Sequence, residues 1–299
     1  MPDMNCKLIA TLPNLANEEK VRRVLACPQI SEARYNIGSA SLMAPAETVA
    51  LLKSLSAEYT KKIWLDIKGR QLRVTRWADP KYEAIELNHN INVAYPAKIY
   101  FRNGEYSNIM KVKGNQILVD PLPREALGAG QSVNILAKDL EIEGYLTELD
   151  KKYLQAAAQQ GLGSIMASFV ERQEDLSEIL SFVPNAEIVS KIESKKGIEL
   201  ISTHKIGNLM AARDDLYIQT GQNKSMFEHL ATIIQNDGDA ICASRVFLSL
   251  ERQSTVEFAD YCDLSLMKNM GYLRFMLCDN ICNYHFDKAI VAWRDFVGE

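Results

Sequence analysis

Two short apolar runs that end in charge decide the fold, Ile188-Val189-Ser190-Lys191-Ile192-Glu193 and Leu209-Met210-Ala211-Ala212-Arg213-Asp214-Asp215. If the first run is a strand, Lys191 and Glu193 point to the same side, because side chains alternate along a strand. A cation beside a carboxylate at one strand end, with further carboxylates after a later strand, suits a divalent metal and an anionic substrate. A surface salt bridge is the plainer alternative for any single pair.

The same rhythm of strand and helix continues on both sides of these runs. The strand-like runs are 7–12, 32–35, 62–66, 164–169, 188–191, 209–212, 240–243 and 272–277. The helical patterns that follow them are 17–26, 45–57, 147–160, 174–182, 196–203, 225–235, 256–268 and 280–296. Eight β–α units predict a (β/α)8 TIM barrel, with a doubly wound open sheet as the alternative. No Gly-x-Gly-x-x-Gly opens a helix, so a dinucleotide site of that kind has no support.

The rhythm breaks once, between residues 75 and 143. Instead of an amphipathic helix, this segment offers short β-type runs at 97–101, 109–112, 116–119 and 133–136, separated by glycine-containing turn signals. The sequence therefore predicts a barrel domain made of 1–74 and 144–299, with a small β-rich insertion domain, 75–143, after the third strand.

Composition narrows the function classes. The chain has 299 residues, 47% of them hydrophobic, and a net charge of -4 without a basic run, so nucleic acid and an anionic membrane surface are poor candidates. No apolar stretch approaches the roughly 20 residues of a membrane span. Residues 1–5 lack a signal-peptide pattern, and the six cysteines lack zinc-site spacing. We expect a cytoplasmic protein with reduced thiols, and a homo-oligomer is left open.

Charged and polar side chains follow the predicted strands at their carboxyl ends. In TIM barrels these ends form the rim that carries the active site. The residues concerned are Arg34, Asn36, Asp66, Lys68, Arg73, Ser168, Lys191, Glu193, Arg213, Asp214, Asp215, Ser244 and Arg245. Loops are polar in any protein, yet this combination of cations and carboxylates on one rim favours a site.

At these positions the sequence resembles the pyruvate kinase family over nearly its whole length. The motifs that carry the resemblance, in family order, are Arg34-Tyr35-Asn36-Ile37-Gly38-Ser39, Asp66-Ile67-Lys68-Gly69-Arg70-Gln71-Leu72-Arg73, Ala167-Ser168-Phe169, Ser190-Lys191-Ile192-Glu193, Ala211-Ala212-Arg213-Asp214-Asp215-Leu216 and Ala243-Ser244-Arg245. Members of that family carry a β-rich lid domain at the position where the alternation of strands and helices in this chain is interrupted. They also carry a C-terminal regulatory domain, for which we expect no counterpart here.

The resemblance implies roles for the rim residues. Glu193 and Asp215 would ligate Mg²⁺ or Mn²⁺, which bridges the oxygen pair of phosphoenolpyruvate or a 2-oxo acid. Lys191 would stabilise charge on an enolate or on a phosphoryl group, and Arg34 and Arg73 would contact a phosphate or a carboxylate. Ser244 would lie near the carboxylate and the face where a proton is transferred. The other expected substrate-binding residues are Lys68, Ser168, Arg213, Asp214 and Asp215.

Several departures from the family pattern alter these expectations. Gly38 stands where the family has the serine hydroxyl of its monovalent-cation site, which leaves Asn36 and Asp66 as a remnant. We therefore expect no potassium requirement. Ser39 replaces a histidine, which weakens nucleotide contacts. Asp214 replaces a glycine near the substrate carboxylate, and its charge would repel an anion unless the side chain turns away.

Three functions remain open at this point. The first is a metal-dependent enzyme of phosphoenolpyruvate or pyruvate chemistry, with phosphoryl transfer to or from ADP or ATP as one form of it. The second is a carbon–carbon lyase or aldolase that holds a pyruvate enolate without a nucleotide. The third is a non-catalytic relative that serves as a binding protein. The fold does not decide among them, because function depends on the site.

Overall fold

The structure is a computed structural model, and it describes residues 6–39, 43–101 and 104–299. In chain order the strands are β1 (Lys7–Thr11), β2 (Ile30–Asn36), β3 (Lys62–Ile67), β4 (Ile85–Glu86), β5 (Ile91–Asn92), β6 (Ala97–Phe101), β7 (Tyr106–Lys113), β8 (Gln116–Asp120), β9 (Val133–Leu136), β10 (Glu141–Ile142), β11 (Ser164–Ala167), β12 (Glu187–Ile192), β13 (Leu209–Ala212), β14 (Ile241–Ala243) and β15 (Arg274–Leu277). The helices are α1 (Glu18–Ala26), α2 (Pro45–Tyr59), α3 (Glu148–Gln160), α4 (Gln173–Phe182), α5 (Lys195–Thr203), α6 (Arg213–Gln219), α7 (Met226–Asn236), α8 (Phe258–Asn269), α9 (Asp279–Tyr284) and α10 (Phe286–Val297). The five N-terminal residues considered in the search for a signal peptide lie outside the described residues.

Eight parallel strands close into a barrel in the order β1-β15-β14-β13-β12-β11-β3-β2. This confirms the predicted (β/α)8 barrel. One cluster of apolar side chains lies between the strands and the surrounding helices, and a second fills the barrel interior. Trp64 and Val189 belong to the interior cluster, and Asp66 and Lys191 lie two residues further along the same strands. Period-two alternation therefore places these charged side chains inside the barrel, above an apolar floor.

Local signals fix several element boundaries. Pro45 occupies the first turn of α2, and Thr147 and Asp150 form a reciprocal cap at the start of α3. Two features differ from the sequence-based predictions. Helix α6 begins directly at Arg213, ahead of the helix predicted at 225–235, and the single helix predicted over 280–296 is divided into α9 and α10 at His285, which has non-helical dihedral angles. No helix in the described part of the chain is long and apolar enough to cross a lipid bilayer.

The insertion after β3 forms an antiparallel sheet of its own, as predicted. Its strand order is β4-β8-β7-β6-β9, and β10 pairs separately with β5. Apolar side chains from Leu72 to Ile135 form a core that is distinct from the barrel core. The described residues of 75–143 contain no helix. The division of the chain at residues 75 and 143 stays a prediction.

The two connections between the barrel and the insertion are held side by side. The ring nitrogens of the buried His89 lie 2.9 Å from the Gly69 carbonyl oxygen and 3.0 Å from that of Glu143. Gly69 has a φ of +48°, and a Cβ there would lie 2.6 Å from the Ser168 carbonyl oxygen, so the position requires glycine. The buried Asp150 accepts hydrogen bonds from the Lys68 and Gly69 amides at 2.7 and 3.2 Å. These contacts fix the turn that carries Lys68.

Candidate active site

A cavity of about 180 Å³ opens at the carboxyl ends of the barrel strands. The residues predicted from the sequence that line it are Arg34, Asn36, Lys68, Arg73, Lys191, Glu193, Asp215 and Ser244. Residues from both halves of the chain therefore meet here, as the strand-end rule predicts. Met210, Ala212, Ala243 and Met276 contribute apolar groups to the lining.

The Asp66 carboxylate lies at the centre of the charged residues. Its side chain is fully buried, and it accepts a hydrogen bond of 2.7 Å from Arg34 Nε. The ammonium groups of Lys68 and Lys191 each lie 3.3 Å from one of its oxygens. Burial by itself would raise the pKa of Asp66, but the charges of Arg34, Lys191 and Lys68 outweigh burial and hold this pKa below its usual range. Asp66 therefore stays ionised and orients three cations.

Lys191 and Glu193 lie on one side of β12, as alternation predicts. Lys191 Nζ lies 3.2 Å from Glu193 Oε1 and donates a 2.7 Å hydrogen bond to Ser168 Oγ. Burial would lower the pKa of Lys191, but Asp66 and Glu193 raise it above its usual value, so the ammonium stays charged. Burial, together with the charge of Asp215, raises the pKa of Glu193 to about 7, even though Lys191 and a 2.7 Å hydrogen bond from the Phe169 amide favour its ionised form.

Lys68 occupies the space beside Gly38. A Cβ at Gly38 would lie 2.9 Å from Lys68 Cε and 3.2 Å from Asn36 Oδ1. The glycine therefore leaves room for the lysine side chain next to the two residues of the monovalent-cation remnant. Burial and then the neighbouring cations Arg73, Arg34 and Lys191 outweigh Asp66 and lower the pKa of Lys68 to about 7.

Arg73 and Asp215 line the cavity, and their side chains contact the insertion and the segment that leads into it. Arg73 donates to Gln71 Oε1 at 2.6 and 3.0 Å and to the Gly130 carbonyl oxygen at 2.6 Å. Asp215 lies in the first turn of α6 and accepts a 2.9 Å hydrogen bond from Asn134 of β9. Gln71 Nε2 approaches its other oxygen at 3.5 Å.

Besides Asp66, four of the predicted rim residues lie away from the cavity lining: Ser168, Arg213, Asp214 and Arg245. Ser168 is fully buried behind Lys191 and accepts its hydrogen bond. Arg213 turns beneath β14, where it donates to Asp263 at 2.7 Å and to the Ala243 carbonyl oxygen at 3.2 Å. Asp214 points outward and pairs with Arg245 at 2.7 Å. The structure thus does not bring Arg213 and Asp214 to the central cavity.

Sequence reasoning missed Asp279, which completes the cavity opposite Asp66. One of its oxygens lies 3.3 Å from Arg34 Nη1, and Asn36 Nδ2 approaches at 3.4 Å. Asp279 begins α9 directly after β15, so the strand-end rule applied to the eighth strand would have found it. Asn134 belongs to the insertion, and no local signal in the sequence connects it with the barrel rim.

The carboxylates at the cavity provide part of the ligand set that a hard divalent cation requires. Glu193 and Asp215 both line the cavity, and their mutual repulsion contributes to the raised pKa of Glu193. A cation between them would relieve that repulsion, and carboxylate oxygens are ligands that Mg²⁺ and Mn²⁺ prefer. Among residues 6–39, 43–101 and 104–299, no group of three or more His, Cys, Asp or Glu side chains could hold a metal ion. Substrate oxygens and water would have to supply the remaining ligands.

Comparisons with known proteins find similar sequences. The family model for the pyruvate kinase barrel domain matches residues 97–265. A pyruvate kinase of Thermoplasma acidophilum is 23% identical over 88% of this chain and 52% of its own length. One of Agaricus bisporus is 30% identical over 47% of this chain and 29% of its own, and one of Chlamydia muridarum is 21% identical over 98% and 68%. The chain thus spans about half the length, or less, of the first two.

Proposed function

Since the chain belongs to the pyruvate kinase family, we propose that its barrel mouth is an enzyme active site for phosphoenolpyruvate, pyruvate or a related 2-oxo acid. In this proposal the substrate reacts through its enolate form. The observation that carries it is the Lys191–Glu193 pair, with 3.2 Å between Nζ and Oε1, inside a cavity that Arg34, Lys68 and Arg73 also line. This arrangement pairs an anion-binding wall with a carboxylate that can hold a cation.

The cationic wall supports an anionic substrate. Arg34, Lys68 and Arg73 converge on a space of about 180 Å³, which suits a small molecule. Guanidinium groups bind carboxylates and phosphates through paired N–H donors. Asp66 and Asp279 hold Arg34 in place, so little side-chain freedom is lost when the anion binds.

Lys191 is proposed to act electrostatically. Its ammonium group is buried and fixed by Asp66, Ser168 and Glu193, so it needs little reorganisation when negative charge grows on a substrate oxygen. Glu193 and Asp215 would hold Mg²⁺ or Mn²⁺, which would polarise the same oxygen as a Lewis acid. Ser244 also lines the cavity and is proposed to face the carbon that exchanges a proton.

We also propose that the site works without potassium. Lys68 places a tethered ammonium group beside Gly38, Asn36 and Asp66, the three positions that the resemblance connects with a monovalent cation. In its protonated form, this ammonium group supplies a positive charge at this place, which removes the electrostatic need for a free monovalent cation.

One observation favours the lyase or aldolase alternative over phosphoryl transfer. A second cleft of about 480 Å³ adjoins the central cavity, and Asp214, Asp215, Glu251 and Asp279 line it. Among the described residues that line this cleft, Arg245 is the basic one, and it already pairs with Asp214. Such a cleft repels the phosphates of a nucleotide and suits a neutral second substrate. The non-catalytic alternative loses its main argument, because Asp214 turns away from the central cavity.

Calorimetry with small ligands tests the proposal. Oxalate, a planar mimic of the pyruvate enolate, should bind to the wild type with Mg²⁺ or Mn²⁺ and should lose this metal dependence in Glu193→Gln. ADP binding would select the phosphotransferase, and oxalate binding without ADP binding would select the lyase or aldolase. Absence of metal-dependent oxalate binding in the wild type, or unchanged affinity in Glu193→Gln, would contradict the proposed site.

A further inference from the structure

Asn134 connects the insertion with the barrel rim at Asp215. It lies on β9, with 7% of its surface exposed, and its Nδ2 donates a 2.9 Å hydrogen bond to Asp215 Oδ1. Its Oδ1 accepts a 2.7 Å hydrogen bond from Gln219 Nε2. Asp215 and Gln219 are four residues apart on α6, so both face the same side of that helix. One side chain of the insertion therefore contacts both ends of one helical turn.

Gln219 determines which end of the Asn134 amide faces the carboxylate. The Gln219 amide group occupies the oxygen of Asn134, which leaves the N–H donors directed at Asp215. A flipped amide would present its oxygen to the Asp215 carboxylate and would repel it. The orientation of Asn134 is thus set by the same helix whose carboxylate it holds.

The contact leaves Asp215 able to bind a cation. An ionised carboxylate has about four lone-pair sites, and Asn134 uses one of them on Oδ1. Gln71 approaches the other oxygen only at 3.5 Å, the weak end of the hydrogen-bond range. Asp215 is only half-buried and lies at the start of a seven-residue helix, so without Asn134 its side chain would have more rotational freedom.

We propose that Asn134 is a positioning residue that holds Asp215 in the orientation that binds the divalent cation. This inference rests on the proposed function, in which Asp215 is a metal ligand. It makes the metal affinity of the barrel mouth depend on the contact between β9 and α6, and therefore on how the insertion sits on the barrel. Groups that orient metal ligands typically contribute ten- to hundred-fold to metal affinity.

The test is calorimetric titration of the full chain with Mn²⁺ alone. We expect the Mn²⁺ dissociation constant to rise about tenfold in Asn134→Ala, in line with the loss of an outer-shell partner. Gln219→Leu should give a smaller rise, because the Asn134 donor remains but its orientation is no longer fixed. Asn92→Ala is the matched control, since Asn92 is an exposed residue of β5 in the same insertion, and it should leave the constant unchanged.

The outcomes separate this inference from the proposed function. If the wild type binds no Mn²⁺, the metal site itself is wrong. If the wild type binds Mn²⁺ and Asn134→Ala binds it equally well or more tightly, the positioning role is overturned while the metal site stands. Hydrogen exchange over 213–219 shows whether α6 remains folded. Should Asn134→Ala fail to fold, Gln219→Leu decides, because that change leaves the insertion sequence intact.

Discussion

The two sides of the barrel mouth are built differently. On one side, strands β2, β3 and β12 supply Arg34, Asp66 and Lys191, and Glu193 follows β12 directly; these side chains are at most 9% exposed. On the other side, α6 and the loop after β14 supply Asp214 and Arg245, whose side chains are 53% and 42% exposed. The strand side is an interlocked set of buried charges, whereas charges on the rim side are screened by water. Charged residues of the same types at one barrel mouth should therefore contribute very different free energies to stability.

Replacement of the central buried carboxylate should give the largest effect. Asp66→Asn would leave Arg34, Lys68 and Lys191 close together without their shared anion. Loss of one partner of a buried ion pair typically costs about 3–5 kcal/mol. We expect a fall of this size in the free energy of unfolding, measured by urea denaturation. A loss below about 1 kcal/mol, the range of exposed pairs, would remove the energetic difference between the two sides.

The next largest effect should fall on turnover. In Lys191→Met, most of the side-chain volume remains but the charge is lost, and exchange of the pyruvate methyl protons with solvent should slow by a factor on the order of 100 to 1,000. Metal-dependent oxalate binding should change far less, because the charge acts mainly in the transition state. NMR with Mg²⁺ measures the exchange, and Lys195→Met, at an exposed lysine nearby, is the control. Absence of exchange in the wild type would argue against enolate chemistry on pyruvate.

A pH dependence should follow from Lys68. Its pKa is lowered to about 7, so the cationic form that attracts an anion is lost as the pH rises through 7. Between pH 6 and pH 8 the protonated fraction falls about tenfold, and we expect a comparable fall in oxalate affinity without metal. Lys68→Arg keeps the charge over this range and should flatten the profile. An unchanged profile in Lys68→Arg would assign the dependence to another group.

The exposed pair on the rim should matter little for stability. Asp214 and Arg245 form a contact of 2.7 Å at the surface, and exposed pairs contribute about 0.2–1 kcal/mol. Asp214→Asn should therefore lower the free energy of unfolding by less than about 1 kcal/mol, and 0.5 M salt should reduce the difference further. A loss as large as that in Asp66→Asn would mean that the two sides are equivalent after all.

The smallest expected effect is that of potassium. Rates or oxalate affinities measured at pH 6 in sodium, potassium and tetramethylammonium buffers should agree, because the protonated Lys68 side chain already lies beside Gly38 and Asp66. The comparison becomes sharper with Lys68→Met, in which a monovalent cation could enter the vacated space. A strong potassium requirement in the wild type would contradict this interpretation of Gly38.

Sequence reasoning worked for the strand side and failed in part for the rim side, for a physical reason. Alternation along a strand fixes the side of each residue, so Lys191 and Glu193 could be placed together. Arg213, Asp214 and Asp215 instead begin a helix, where each residue turns by roughly 100°. Arg213 therefore points under β14, Asp214 points outward and only Asp215 faces the cavity. Asn134 could not be predicted, because its contact with Asp215 joins residues 81 positions apart.

The contact of His89 with both connections has a consequence for how such a chain can change in evolution. Because one imidazole ring spans the distance between Gly69 and Glu143, the insertion leaves and re-enters the barrel at almost the same point. The insertion also has its own apolar core. Segments can therefore be gained or lost between these two points without a shift in the register of β3 and β11, since loop length alters closure entropy only slowly. The insertion can thus change in length, while the buried charges of Arg34, Asp66 and Lys191 on the barrel strands are inherited unchanged.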